Sequence, residues 1–337
     1  MQLQTGPNDT MRRLDRILRK ALPDLPLSLI HRLLRQGKIL VNNKRAQMQE
    51  RIPAGALIQI PDIAHCPSPT PHSPPPIPQL PAMEILRQDS NLLILNKPAG
   101  IAVHGPESLD TQVQQYLAGH LCQAENASLS FRPGPLHRLD KPTSGIVVFS
   151  ASLEGARNFS LLMREGKIQK YYLAVAEGCL DTAETWQDTL VRDSNRKRTA
   201  VVADSAQENS VSALTTVQPL AASVGTHKDQ YTLILAQPHS GRTHQIRAQA
   251  AFHGHPLMND RKYSARRASP FPVPYSQHPI TNDRGLPTTF FLHAWKLNIN
   301  NSIEATAPLP QAFESVLHTL FSLDITDLNR YNITNVS

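Results

Sequence analysis

Short apolar clusters and polar positions alternate through the first sixty residues. Apolar residues recur at helical spacing in a first segment, at Leu14, Ile17, Leu18 and Leu22. The stretch SLIHRLLRQ (28–36) predicts a second helix, which we expect Ser28 to cap and Gly37 to end. KILVNNKRA (38–46) predicts a strand entering a turn, and ALIQI (56–60) a closing strand. This pattern predicts a small α+β unit over residues 1–62.

From residue 83 onward, short apolar runs are mixed with helical stretches. The predicted strands are NLLILNKP (91–98), GIVVFSA (145–151), KYYLAVAEG (170–178), YTLILAQ (231–237) and FFLHAWKL (290–297). The predicted helices are TQVQQYLAGHL (111–121), LEGARNFSLLMREG (153–166) and THQIRAQAAFHG (243–254). Strands outnumber helices and do not alternate strictly with them, which favours an α+β unit with a largely antiparallel sheet over residues 83–315. Residues 316–337 are expected to be a C-terminal tail.

A proline-rich segment separates these two units. Nine of the 21 residues in 61–81 are proline. Proline fixes φ and removes the amide donor, so helices and central strands are excluded. We therefore expect residues 63–82 to be an extended, semi-rigid linker.

The basic charge is concentrated in the N-terminal unit. The chain of 337 residues has a net charge of +7. Residues 1–60 contain eleven Lys or Arg against four Asp or Glu, whereas the remaining 23 basic and 23 acidic residues balance. This asymmetry indicates a nucleic-acid-binding unit attached to a roughly neutral body. We expect no membrane association, because no apolar run is long enough to span a bilayer, and a cytoplasmic location, because MQLQTGPNDTMRR (1–13) lacks the apolar core of a secretory signal.

The polar block HRLDKPTSG (137–145) leads directly into the apolar strand IVVF and contains the candidate for chemistry. Asp140 lies between Arg138 and Lys141, and Thr143 and Ser144 offer hydroxyl donors. Cationic neighbours and hydrogen-bond donors favour the ionised form of a carboxylate. An ionised carboxylate is a competent nucleophile toward an electrophilic sugar carbon. An isolated loop aspartate is more often a turn cap, so Asp140 needs support from elsewhere in the chain.

That support comes from a set of motifs. LNKPAGIAVHG (95–105), HRLDKPTSG, KYYLA (170–174), GRTHQIR (241–247), GHPLMND (254–260) and LHA (292–294) occur in this order. Together they resemble the RluA-type RNA pseudouridine synthases over residues 84–308. The departures are Ser150, where the family usually has alanine, and Ala248-Gln249-Ala250 after GRTHQIR. These departures bear on the choice of RNA more than on the type of reaction.

The N-terminal unit resembles the S4 RNA-binding domain through RLD (13–15), LLRQGKILVN (33–42) and AGALIQI (54–60). The resemblance implies that the two helices and the following turn face RNA. Arg32, Arg35 and Lys38 are therefore the expected RNA-binding residues of this unit.

The resemblance also implies roles for four residues of the body. Asp140 would be the nucleophile, and Arg247 would pair with it. Tyr172 would stack on the target base and take part in proton removal, and Arg138 would contact RNA around the flipped nucleotide. Direct attack on C1′ and a glycal route both remain open, as do Tyr172 and water as the base at C5. His244 is expected to make a structural hydrogen bond within its turn.

The implied reaction isomerises uridine to pseudouridine in structured RNA and needs no cofactor and no metal. This agrees with the absence of GxGxxG and P-loop motifs from the sequence. The expected substrate is 23S ribosomal RNA of the large subunit, with tRNA as the alternative, and the enzyme is expected to be a monomer. A protein kinase does not fit the spacing around HRLD, and a hydrolase using His137 or His244 lacks a supporting motif. A non-catalytic S4-type RNA-binding or ribosome-assembly factor remains the alternative from another class.

Overall fold

A computed structural model describes most of the chain. The described residues are 1–22, 25–61, 83–105, 107–120, 128–193, 198–203, 209–223, 230–263 and 290–328. The predicted linker (63–82) lies outside them, as do residues 329–337 of the predicted tail.

A small α+β unit comes first. Its elements in residues 1–22 and 25–61 are β1 (Gln2–Gln4), a 3-10 turn (Pro7–Asp9), β2 (Arg12–Arg13), α1 (Leu14–Ala21), α2 (Leu27–Arg35), β3 (Leu40–Val41), β4 (Lys44–Arg45), β5 (Arg51–Ile52) and β6 (Leu57–Gln59). Both predicted helices are present. Helix α2 begins one residue before Ser28, after Pro26, so the expected serine cap is wrong. Gly37 has a φ of 67° just beyond the helix end, as a terminating glycine requires.

The body is built on one large sheet. Its strands in the described residues are β7 (Glu84–Gln88), β8 (Leu92–Lys97), β9 (Gly134–Pro135), β10 (Ser144–Ser150), β11 (Ile168–Glu177), β12 (Glu184–Asp193), β13 (Arg198–Val202), β14 (Val211–Ala222), β15 (Tyr231–Pro238), β16 (Leu292–Ile299) and β17 (Ile303–Thr306). The helical elements are α3 (Leu109–His120), α4 (Leu153–Arg164), α5 (Gln245–Phe252), α6 (Gln311–Val316), a π-helical turn (Leu317–Phe321) and α7 (Ile325–Leu328). All five apolar runs predicted as strands contain a strand.

The strand order is β13-β12-β14-β15-β11-β16-β10-β8-β7, with β17 beside β16 and β9 beside β10. Among the pairings between described strands, only β10 with β16 is parallel. The predicted α+β fold with a largely antiparallel sheet is therefore confirmed.

The register of three neighbouring strands brings three sequence motifs together. Tyr172 of KYYLA lies opposite Ala294 of LHA, and Ala294 lies opposite Gly145 at the end of HRLDKPTSG. Gly145 has a φ of 107°, and a Cβ there would lie 2.2 Å from the carbonyl oxygen of Ala294. Only glycine fits this close approach, which anchors the HRLD loop to the centre of the sheet.

Helices pack on both faces of this sheet. Both faces present apolar side chains to them, because successive side chains of a strand point to opposite faces. On β11, Ala174 points to the face packed by α3 and α5, and Leu173 to the face packed by α6. On β10, Val148 packs against Phe159 of α4 on that second face. The apolar side chains on both faces thus form the core.

The packed body continues past residue 315, where the sequence had predicted a tail. Leu317, Leu320, Phe321 and Leu328 are all buried against β11 and β15. The apolar residues of the π-helical turn and of α7 are therefore part of the core.

A buried carboxylate joins the N-terminal unit to the body. Asp9 accepts hydrogen bonds from the amides of Leu129 and Ser130, at 2.8 and 3.0 Å, and from the hydroxyl of Ser128 at 2.7 Å. Burial alone would raise the pKa of Asp9, but these bonds, with those from Ser130 Oγ and the Gly6 amide, hold it below its usual value. The contact is therefore an ionised, hydrogen-bonded clamp.

Membrane-spanning helices and metal-ligand clusters are both absent from the described residues. No helix there is long and apolar enough to cross a membrane. No group of three or more His, Cys, Asp or Glu in that part of the chain is arranged to hold a metal ion.

Candidate active site

A cavity of about 320 Å³ opens beside the centre of the sheet. Its walls include Arg138, Asp140, Tyr172 and Arg247. The structure thus brings together the four body residues selected from the sequence. It does not bring Arg32, Arg35 or Lys38 to this cavity, because they are exposed on and just after α2 in the N-terminal unit.

Asp140 and Arg247 form a direct ion pair. Nη1 of Arg247 donates to Oδ2 of Asp140 at 2.9 Å. Arg247 lies on α5 and its side chain is only 6% exposed, whereas the Asp140 side chain is 17% exposed. Asp140 therefore presents a partly accessible carboxylate to the cavity while a buried cation fixes its position.

A second carboxylate, that of Asp260, binds Arg247 on the edge that Asp140 does not contact. Asp260 accepts from Nε and Nη2 of Arg247 at 2.7 and 2.9 Å, in a two-point contact. Burial opposes the charge of Arg247, but hydrogen bonding with Asp260 and the charge of Asp140 raise its pKa. The rings of Phe290 and Tyr263 lie 4.1 and 5.0 Å from the guanidinium carbon. Asp260 is the final residue of GHPLMND, a motif whose resemblance implied no role for it. A buried arginine with two donor edges calls for a second acceptor, and that requirement is the signal for Asp260.

His244 also faces Asp140. The amide of Thr199 donates to the Tyr263 hydroxyl at 2.9 Å, and that hydroxyl lies 2.8 Å from Nδ1 of His244. Nε2 of the same ring lies 3.6 Å from Oδ2 of Asp140. Burial lowers the pKa of His244 to about 4, although Asp140 opposes this shift. The expected hydrogen bond of His244 exists, but it reaches Tyr263 rather than closing the turn.

Tyr172 forms an apolar wall of the cavity and is 8% exposed. Burial and the nearby charge of Asp140 both raise the pKa of its phenol. The phenol is therefore protonated at neutral pH and offers a flat face with one hydroxyl.

Lys97 supports the loop that carries Asp140 from below. Its ammonium is buried and donates to the carbonyl oxygens of Pro98, Ile101 and Lys141, at 2.9, 2.9 and 3.2 Å. Burial lowers the pKa of Lys97 to about 7, and Asp140 counteracts that shift. Three acceptors match the three N–H bonds of an ammonium, so this residue ties LNKPAG to HRLDKPTSG in its charged form.

The expectation that Ser144 donates to Asp140 needs correction. The Ser144 hydroxyl bonds Nδ1 of His293 at 2.8 Å instead of Asp140. His137 points inward, and its Nε2 accepts from the Val148 amide at 3.1 Å. These bonds shape the HRLDKPTSG loop rather than supply donors to the carboxylate.

Lys170, the first residue of KYYLA, was overlooked in the sequence. It lines the same cavity and is 8% exposed. Within the described residues its ammonium makes no hydrogen bond or ion pair, and burial lowers its pKa. The cavity wall thus holds a cation that the protein itself leaves without a partner among those residues.

The cavity at the centre of this fold thus contains a carboxylate paired with a buried arginine. A family model described as RNA pseudouridylate synthase matches residues 91–252, and an S4 domain model matches residues 12–58. The ribosomal large subunit pseudouridine synthase C of Vibrio vulnificus is 30% identical over 323 residues, which cover 91% of this chain and 92% of that protein. The chain therefore belongs to the RNA pseudouridylate synthase family, whose members isomerise uridine to pseudouridine.

Solved structures agree with this assignment. Human RNA Pseudouridylate Synthase Domain Containing 4 is 25% identical, with a TM-score of 0.53, and covers 70% of this chain and 92% of its own. Human RNA Pseudouridylate Synthase Domain Containing 1 is 21% identical, also with a TM-score of 0.53, and covers 74% and 93%. The second likeness supports the fold alone.

Proposed function

We propose that this enzyme converts specific uridines of large-subunit ribosomal RNA to pseudouridine, with Asp140 as its nucleophile. The observation that carries the proposal is the 2.9 Å pair between Asp140 and Arg247 inside the cavity. The RNA target rests on relatives that are named as ribosomal large subunit pseudouridine synthases. A tRNA target is the alternative. We further propose that the enzyme acts as a monomer in the cytoplasm, with residues 1–62 serving RNA binding and the body from residue 83 onward serving catalysis.

The reaction begins when the target uridine leaves the RNA stack and enters the cavity, at an unstacking cost of a few kcal/mol. Asp140 then breaks the bond between N1 and C1′, either by attack on C1′ or by removal of a ribose proton to form a glycal. The freed uracil rotates and rejoins the sugar through C5. No atom is gained or lost, because the proton leaving C5 is balanced by one gained at N1.

Arg247 keeps the carboxylate charged and aimed at the sugar, because it is itself fixed by Asp260. Tyr172 supplies the stacking face for the rotating base. Its raised phenol pKa favours water over a phenolate as the base that takes the C5 proton. Exclusion of bulk water prevents hydrolysis of the detached intermediate to an abasic site.

Cations around the cavity receive the RNA. Arg138 is exposed at its wall and contacts the strand next to the flipped nucleotide. Lys170 offers its ammonium to a phosphate or a base carbonyl. Arg32, Arg35 and Lys38 add phosphate contacts from α2 and the turn after it.

The test of the nucleophile uses ribosomal RNA labelled with tritium at uridine C5. The wild-type enzyme releases label, and the Asp140→Asn variant is expected to release none. Asp181→Asn is the matched control, because Asp181 is exposed and lies outside the cavity. Release at the wild-type rate by Asp140→Asn would refute the assignment.

The target is tested by mapping pseudouridine in RNA from a strain that lacks this gene. Loss of one or more sites in large-subunit ribosomal RNA, restored by the wild-type gene but not by Asp140→Asn, is the expected result. Loss confined to tRNA would replace the ribosomal target with the alternative.

A further inference from the structure

We propose that a basic groove guides the phosphate backbone of the substrate RNA from the catalytic cavity, along α4, to the junction with the N-terminal unit. The groove is defined by seven basic residues, namely Arg164, Arg157, Arg132, Arg12, Arg16, Arg19 and Lys20. This inference rests on the proposed RNA substrate and adds a binding surface distinct from Arg32, Arg35 and Lys38.

The first part of the groove opens directly from the catalytic cavity. A second cavity, of about 550 Å³, is lined by Arg157 and Arg164 of α4. It shares Leu136 and Met163 with the catalytic cavity, so the two are continuous. RNA leaving the catalytic cavity on this side meets α4 first.

The next part crosses from the body to the N-terminal unit. Asn8 accepts from the amide of Leu153, the first residue of α4, at 3.0 Å, which places the Pro7–Asp9 turn against that helix. Arg157 lies one helical turn further along α4. Its charge acts on Arg12, whose pKa is lowered first by burial and then by Arg157 and Arg16, against the opposing effect of Asp9. Arg12 and Arg157 are thus electrostatic neighbours across the junction.

The last part is a cavity of about 920 Å³ between the two units. Arg16, Arg19 and Lys20 of α1 line one side, and Arg132 of the body lines the other. Arg12 lies between them and donates to the Ser130 hydroxyl at 2.7 Å. Side chains from two folded units therefore converge on one basic surface.

Among the described residues, Asp9 acts on Arg12 from close by, but it does not form an ion pair with it. In the described part of the chain, no side chain of the groove forms an ion pair with a carboxylate. A solvated helix face would explain Arg16, Arg19 and Lys20 alone, but not their convergence with Arg132 and Arg157. A polyanionic backbone binds such a concentration of positive charge favourably, because its counterions are released.

The clamp at Asp9 makes the groove a preformed site. Ser128, Leu129 and Ser130 bind Asp9, and Arg132 follows two residues later. The same interaction therefore fixes the basic residues of α1 against those of the body. RNA held by α1 is consequently aligned with the catalytic cavity.

Two double variants test the groove, Arg157→Ala with Arg164→Ala on α4, and Arg16→Ala with Arg19→Ala on α1. Alanine is a strong helix former, so both are expected to fold. Binding of a ribosomal RNA fragment is measured against salt concentration. Removal of one arginine that binds a phosphate reduces the slope of log K on log salt by about 0.7 to 0.9, so each pair is expected to reduce it by about 1.5. At saturating RNA, kcat should remain at the wild-type value while KM rises.

Arg87→Ala is the matched control, because Arg87 is an exposed arginine on β7 that lines none of these three cavities. A wild-type salt slope in both double variants would overturn the groove. Failure of the wild-type enzyme itself to release tritium would instead refute the proposed function, so the two failures are distinguishable. Melting temperatures of all variants separate weakened RNA binding from impaired folding.

Discussion

Asp260 accepts hydrogen bonds from Nε and Nη2 of Arg247, at 2.7 and 2.9 Å, so that Nη1 of the same guanidinium is left to donate to Asp140. The position of Asp140, the proposed nucleophile, therefore depends on a second carboxylate that does not line the cavity. Loss of the Asp260 charge should therefore affect both the stability and the activity of the protein.

The change Asp260→Asn removes the charge that compensates a buried arginine. Breaking a buried pair from one side destabilises a protein by roughly 3 kcal/mol or more. We expect the free energy of unfolding to fall by about that amount and tritium release to slow by at least about tenfold. Urea unfolding and the release assay measure the two effects. Unchanged values in both would show that Asp260 does not position Arg247.

Substitution of Lys170 should increase stability while it weakens RNA binding. Because its ammonium is buried without a partner in the described residues, Lys170→Met removes a desolvation penalty and keeps the length of the side chain. We expect a higher melting temperature together with weaker RNA binding. The exposed Lys167→Met is the control, since Lys167 pairs with Glu165 at the surface. A lower melting temperature for Lys170→Met would contradict the argument.

Two substitutions of Tyr172 distinguish the contribution of its flat ring from that of its hydroxyl. Tyr172→Phe retains the stacking face, so RNA binding should change less than about twofold, whereas Tyr172→Ala removes base stacking worth about 1–3 kcal/mol. KM measured with labelled RNA reports the difference. If Phe and Ala raise KM equally, the ring is not a stacking platform. If Phe alone abolishes kcat, the hydroxyl takes part in the chemistry.

Gly145 should not accept a side chain. A Cβ at this position would lie 2.2 Å from the backbone of Ala294, and its φ of 107° disfavours other residues. Gly145→Ala is expected to destabilise the fold by about 2 kcal/mol or more and to displace the Asp140 loop. Gly134→Ala, where a Cβ meets nothing within 4 Å, should be tolerated. Equal melting temperatures for the two variants would contradict the close approach.

Buried histidines make stability depend on acidity. Burial lowers the pKa of His293 to about 4, with Lys97 adding to the shift and a hydrogen bond to Ala307 opposing it. An unfolded histidine titrates near about 6.5, so between about pH 6.5 and 4 the unfolded chain binds a proton that the folded chain does not. The free energy of unfolding therefore falls as pH falls through this window, by up to about 1.4 kcal/mol per pH unit for this group.

The variant His293→Asn keeps an acceptor for Ser144 and removes the titrating ring. Its stability should depend less steeply on pH than that of the wild type across the same window. His318→Asn, at an exposed position, should retain the wild-type slope. Equal slopes for both variants would mean that His293 does not contribute.

Much of the fold could be predicted because the central strands are uninterrupted apolar runs. β10 and β15 are buried along their whole length, so their sequences differ clearly from helices and loops. β12 escaped prediction for the opposite reason. Only Trp186 and Leu190 are fully buried among its polar residues, and their spacing of four also suits a helix.

The cavity could be predicted as a set of residues but not as a network. HRLDKPTSG, KYYLA and GRTHQIR indicated Asp140, Tyr172 and Arg247, and the structure places all three around one cavity. The support from Asp260 depends on which buried groups meet across the fold, and no local pattern reports that. The junction at Asp9 depends in the same way on residues more than a hundred positions away.

That junction changes the significance of the proline-rich segment. Asp9 of the N-terminal unit binds residues 128–130 of the body directly. The spacer between the two units therefore does not need a fixed length to set their relative geometry. Insertions and deletions in residues 63–82 should accordingly be close to neutral over evolution, whereas Asp9 and Ser130 should change only together.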